Sequence, residues 1–94
     1  MALVISEEIL DKLTKKHKVN RSEVEQCFAN REGGLLTDNR EQHKTNPPTQ
    51  WFVAPTNKNR LLKIMFVRDG SDVYLKSAYD ATEEICRIYD KHAF

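Results

Sequence analysis

Arg40, His43, Lys44, Arg60, Lys63 and Lys76 are spread through the middle of the chain with Trp51, Tyr74 and Tyr79 among them, and this mixture suits the handling of RNA. A polyanion needs fixed positive charge, and its bases stack on aromatic rings. Cleavage asks for a base to take the proton of the 2′-hydroxyl, positive charge on the pentacoordinate phosphorane, and an acid for the departing 5′-oxygen. Lysine and arginine supply the second directly. Histidine is the side chain type that titrates near neutrality, which makes His43 the candidate base or acid if its loop folds over the cations. We take His43, Arg60, Lys63 and Tyr79 as candidate catalytic residues, and Arg40, Lys44, Lys76 and Trp51 as candidate substrate-binding residues.

Other chemistries lack their residues. His17, His43, His92, Cys27 and Cys86 show none of the short pair spacings of zinc sites, so no metal is expected. With three glycines in the whole chain there is no phosphate-cradling loop of the P-loop or dinucleotide type, and no cofactor is expected. No nucleophile elbow is present. A small-molecule hydrolase would need convergent carboxylates, for which the chain offers few candidates.

Ninety-four residues suit a single domain, residues 1–94, with one modest core, so any site must lie on the surface of that core. An apolar content of 39% and a charged content of 31% belong to an ordinary folded chain. A net charge of +1 does not by itself mark a nucleic-acid binder; clustering of the cations decides that. No apolar run reaches the ~18 residues of a membrane span, and the opening MALVISEE turns acidic too early for a signal peptide. A cytoplasmic location without a membrane partner is expected. Cys27 and Cys86 fall on apolar faces of expected helices, where a free thiol acts as a small apolar group.

The elements that must position the cations centre on residues 51–79. Two β-rich runs, Leu61 to Val67 and Val73 to Ala78, flank Asp69-Gly70, which predicts a type I′ hairpin turn with Arg68 opposite Ser71. That register sets Phe66 against Val73, Ile64 against Leu75 and Leu62 against Ser77 on one face. On the other it sets Met65 against Tyr74 and Lys63 against Lys76. One face is then core and the other cationic, with two opposed ammonium groups costing up to about 1 kcal/mol unless an anion lies between them. Of Trp51 and Phe52, either can face inward, and the other joins or borders the cationic face.

Ser6 reads as an N-cap, with Ile5 and Leu10 as a hydrophobic staple, and predicts a helix from about Glu7 to His17 with a basic exit. Asn20 to Glu23 has the form of a capping box before a helix from Arg21 to about Asn30, whose Val24, Cys27 and Phe28 recur at helical spacing. Leu35 to Thr37 suits a short edge strand, and Met1 to Val4 either a frayed end or a leading strand. Residues 38–49 form a polar loop carrying Arg40, His43 and Lys44. Asp80 to Glu83 is a further capping box, opening a last helix that turns Ile85, Ile88 and Tyr89 inward. The fold class is therefore α+β: two N-terminal helices, an antiparallel sheet of three to four strands, and a C-terminal helix. All helices are expected on one sheet face, leaving Lys63 and Lys76 on the open one.

Three stretches resemble the BrnT family of bacterial type II toxins: His17-Lys18-Val19 leading into Glu23-Val24 and Phe28; Arg60-Leu61-Leu62 leading into Ile64-Met65-Phe66; and Ser77-Ala78 leading into Ala81-Thr82, Arg87 and Tyr89. The resemblance implies a RelE-like fold, ribonuclease activity and an antitoxin partner, BrnA. Where that family has an arginine this chain has Tyr79, and Ile85 stands near an expected glutamate, so one cation of the family site is missing. Arg60 and Lys63 lie in the matching segment, and Lys76 is an extra cation. Residues 38–51 instead resemble a divergent subgroup of short bacterial chains that carry Arg-x-x-His and Pro-Pro-Thr-x-Trp together. Some of these bear the name ADP-ribosyl-dinitrogen-reductase hydrolase, an activity implying a larger helical domain and an acidic dimetal cluster that this chain lacks. The alternative from another class is a non-catalytic protein- or nucleic-acid-binding module of the same fold.

Overall fold

Capping signals in the sequence set where the helices begin. Ser6 Oγ accepts the Ile9 N–H at 3.2 Å, and Asn20 and Glu23 complete both halves of their capping box at 2.9 and 3.1 Å. The computed structural model describes residues 2–38 and 46–94. The predicted site residues Arg40, His43 and Lys44 lie outside the described residues. In chain order the elements are β1 (Ala2–Val4), α1 (Glu7–Lys12) running into a π-helical turn (Leu13–His17), α2 (Arg21–Asn30), β2 (Leu36–Thr37), β3 (Thr49–Pro55), β4 (Leu61–Asp69), β5 (Asp72–Asp80) and α3 (Glu83–Ala93).

The fold is α+β, but the sheet has five strands in the order β1-β5-β4-β3-β2 and is mixed, not antiparallel throughout. The leading residues supply the difference: Ala2, Leu3 and Val4 pair in parallel with Asp72, Val73 and Tyr74. One face of the sheet packs under α1, the π turn and α2. Its core gathers Phe52, Leu62, Ile64, Phe66, Val73, Leu75 and Ala78 against Leu13, Val19, Val24 and Cys27. Phe28 of α2 meets Phe52 and Phe66 edge-on at 4.9 and 5.5 Å between ring centres. Phe52 is thus the inward residue of its pair, and Trp51 lies on the second face.

The hairpin register differs from the expected one in two ways. Asp69 pairs with Asp72, so the two central turn residues are Gly70 and Ser71, and Gly70 takes a φ of +65°. Glycine at the first central position suits a type II′ turn, one residue later than the Asp-Gly reading. A bulge then shifts the ladder: Phe66 pairs with Leu75, but Met65 pairs with Ser77, leaving Lys76 as the extra residue. Past the bulge, Ala78 and not Ser77 is the core residue, and Lys63 stands opposite Tyr79. Lys63 and Lys76 therefore do not face each other. Lys76 is three residues along β5 from the partner of Lys63, about 10 Å at strand rise. The apolar pattern Val73, Leu75, Ala78, spaced by two and then three, is the sequence trace of that bulge.

Helix α3 also lies elsewhere than expected. Its Tyr89 ring lies 5.8 Å from Trp51, whose ladder partner is Met65, so α3 packs on the second face, opposite α2. The face expected to be open is partly covered, and the helices flank the sheet on both sides. The last helix is capped by Thr82, whose Oγ1 accepts the Ile85 N–H at 3.2 Å, because Asp80 is engaged elsewhere. Among the described residues no helix is long and apolar enough to cross a membrane.

Candidate functional site

Arg60, at the entry to β4, sits where the end of the π turn, the start of α2 and the end of β5 converge. Lys18 adopts a left-handed conformation, φ 55°, that ends the first helical run and leaves late carbonyls without helical partners. Arg60 donates to two of them, His17 O at 2.9 Å and Lys18 O at 2.7 Å. It also donates to Asp80 Oδ1 at 2.7 Å, Asp80 Oδ2 at 3.1 Å and Glu23 Oε2 at 3.2 Å. A guanidinium has five N–H groups, and these contacts engage all of them. The carboxylates hold Arg60 above the usual arginine range, chiefly through the Asp80 hydrogen bond, and that same bond holds the Asp80 carboxyl below its ordinary range. Close by, burial and then the charge of Glu23 push the Cys27 thiol up to about 11, partly offset by Arg60. That thiol donates to Ala54 O at 3.4 Å.

Lys63, three residues further along the chain and within β4, has opposite surroundings. Its side chain is 8% exposed, between Val53 and Tyr79 in the ladder. The Nζ lies 4.6 Å from the centre of the Trp51 ring and 5.8 Å from that of Tyr79. Among the described residues no carboxylate pairs with it. Among the described residues the Lys63 Nζ has no hydrogen-bond partner, and its stem is covered. His17 extends the row, 5.5 Å from Tyr79 ring centre to ring centre, and the Tyr79 hydroxyl rests 3.8 Å from Met65 Sδ.

Of the predicted residues, Trp51, Lys63 and Tyr79 are brought together. Lys76 is exposed on the bulge, Tyr74 is exposed on the neighbouring β5–β1 border, and Arg60 belongs to the buttress just described. His17 was not among the predicted site residues. Its one sequence signal was its place at the head of the stretch His17-Lys18-Val19. Among the described residues no group of three or more His, Cys, Asp or Glu side chains is placed to hold a metal ion. Chemically, the row offers an ammonium without a counter-ion among the described residues, two rings that hold it, and an imidazole beside a phenol. Such an ammonium can take an anionic oxygen at little cost in reorganisation, since it gives up no salt bridge to do so.

Compared with known proteins, the chain matches no family model. No curated protein matches it either.

Proposed function

We propose that the chain binds single-stranded RNA along the uncovered part of its second sheet face. Lys63 takes a phosphate, Lys76 adds a second cation, and Tyr79 and Tyr74 offer rings to the bases. The observation that carries this reading is the Lys63 ammonium, held by Trp51 and Tyr79 and paired with no carboxylate among the described residues. Arg60 enters as the residue that fixes the corner of the fold, its donors being engaged within the chain. Cleavage in the manner of a BrnT-like toxin, with an antitoxin partner, is the second reading. It is favoured by His17 beside Tyr79, which puts an acid–base group next to the cation.

Anisotropy titration of a labelled single-stranded RNA separates these readings from a protein-binding module. Wild type binds with an affinity that falls as salt rises, and Lys63→Met weakens binding by about tenfold or more. Salt-independent binding, or an unchanged Lys63→Met, removes the RNA reading. Expression in a bacterium tests cleavage: growth arrest with RNA degradation, relieved by His17→Asn, supports the toxin. Harmless accumulation of wild type leaves binding alone.

A further inference from the structure

We propose a second site, independent of the RNA reading: a cavity between α3 and the start of β4 that takes a small aromatic amine. Its volume is about 250 Å3, somewhat below the usual range for drug-sized ligands, which limits it to a small molecule. Val53 and Leu61 form its floor, and Tyr89 and Phe94 form an aromatic wall, their rings at 83° and 5.8 Å apart. The wall exists because residue 33 is glycine: a Cβ there would stand 2.6 Å from the Tyr89 hydroxyl and 2.9 Å from the Phe94 ring. The Tyr89 hydroxyl donates to Gly34 O at 2.8 Å, so the ring's orientation is fixed.

The charged residues that line the cavity are Glu32 and Asp90, with no lysine, arginine or histidine among them. Neither carboxylate forms an ion pair among the described residues. The charge of Asp90 is felt inside: burial first, then Asp90 and, from outside the lining, Glu83 hold the Cys86 thiol above its ordinary range. The hollow is apolar and ring-lined, and the charged side chains that line it are both carboxylates, which favours a cation with an apolar body, although the charge of Arg31, outside the lining, also reaches Tyr89 and opposes that of Asp90. The two edge-on rings favour an aryl group in that body, which can add to their stack. The occupant is therefore a small arylalkylamine, its ammonium at Glu32 and Asp90 and its ring against Tyr89 and Phe94.

Phenethylamine, 2-phenylethanol and n-butylamine, titrated separately and followed by amide resonances in two-dimensional NMR, test this. Phenethylamine is expected to move the Val53, Leu61 and Cys86 signals saturably, with 2-phenylethanol and n-butylamine each weaker by about tenfold. Glu32→Gln with Asp90→Asn should weaken phenethylamine by a similar factor. Cys86→Phe, which fills the hollow, should abolish binding while the remaining spectrum stays folded. Equal affinity for 2-phenylethanol overturns the role of the carboxylates. Equal affinity for n-butylamine assigns the hollow to an aliphatic amine such as a protein lysine and overturns the proposal. Shifts confined to residues away from the cavity, or a folded Cys86→Phe that binds as wild type does, also overturn it.

Discussion

Arg60, just before β4, and Lys63, within it, are three residues apart, yet the regions around them do opposite things. At the Arg60 corner, two carboxylates and two backbone carbonyls saturate one guanidinium and join three elements. On the Lys63 face, an ammonium is held by rings and left without a counter-ion among the described residues. A cation with every donor engaged holds structure, and taking a ligand would mean breaking what it holds. A cation held through its stem and the faces of two rings is positioned but available. Cations that look alike in a sequence therefore divide by their partners, not by their type.

The sharpest way to break this comparison is to remove each cation. Arg60→Ala leaves Glu23 without its ion pair and two helix-end carbonyls without a donor, and should cost about 2–4 kcal/mol in urea unfolding. Lys63→Met keeps the volume and should change stability by less than about 1 kcal/mol. Equal losses in the two variants would erase the distinction. Lysine at position 60 should rescue little, since it cannot fork between Asp80 and the carbonyls.

A second difference appears in alkali. Because the folded state holds the Cys27 thiol near 11, it keeps a proton that the unfolded chain gives up earlier. That contribution is fully present below the unfolded thiol pKa, about 8.5, and is lost as pH rises through the folded one. Stability should fall by about 3 kcal/mol between roughly pH 8.5 and 11, and Cys27→Ala should flatten that part of the profile. In Arg60→Ala the fall should extend to higher pH, because Arg60 is the group that lowers this thiol. Lys63→Met should leave the fall unchanged.

The smallest effect is expected in acid. Asp80 has its carboxyl lowered by Arg60, so its contribution is present above the unfolded carboxylate pKa and is lost as pH falls through the folded value. Its side chain is 67% exposed, so solvent screening keeps the contribution to about 1 kcal/mol or less. Asp80→Asn should remove it at pH 7 and nearly match wild type once wild-type Asp80 is protonated, as a pH series of thermal melts would read.

Much of the architecture could be read from short stretches. Ser6 and the Asn20–Glu23 box start their helices where their side chains can reach the first free amides, a reach of three residues. Alternation along Leu62, Ile64 and Phe66 assigned the core side of β4 because a strand's side chains alternate strictly. Such features are carried by neighbours in the chain, and neighbours are what a sequence displays.

The rest was settled by packing across distance. The bulge at Lys76 separates two lysines that a regular ladder would oppose, and it forms where Ala78 and Leu75 must both reach the core. Asp80 reads locally as a cap, yet Arg60, twenty residues away, binds it and leaves that work to Thr82. Helix α3 shows an apolar stripe that fits either face of a sheet, and it is the side of Trp51, Val53 and Leu61 that lacked a cover once α1 and α2 had taken the other. Amphipathicity says that a helix must be buried, not which surface will bury it.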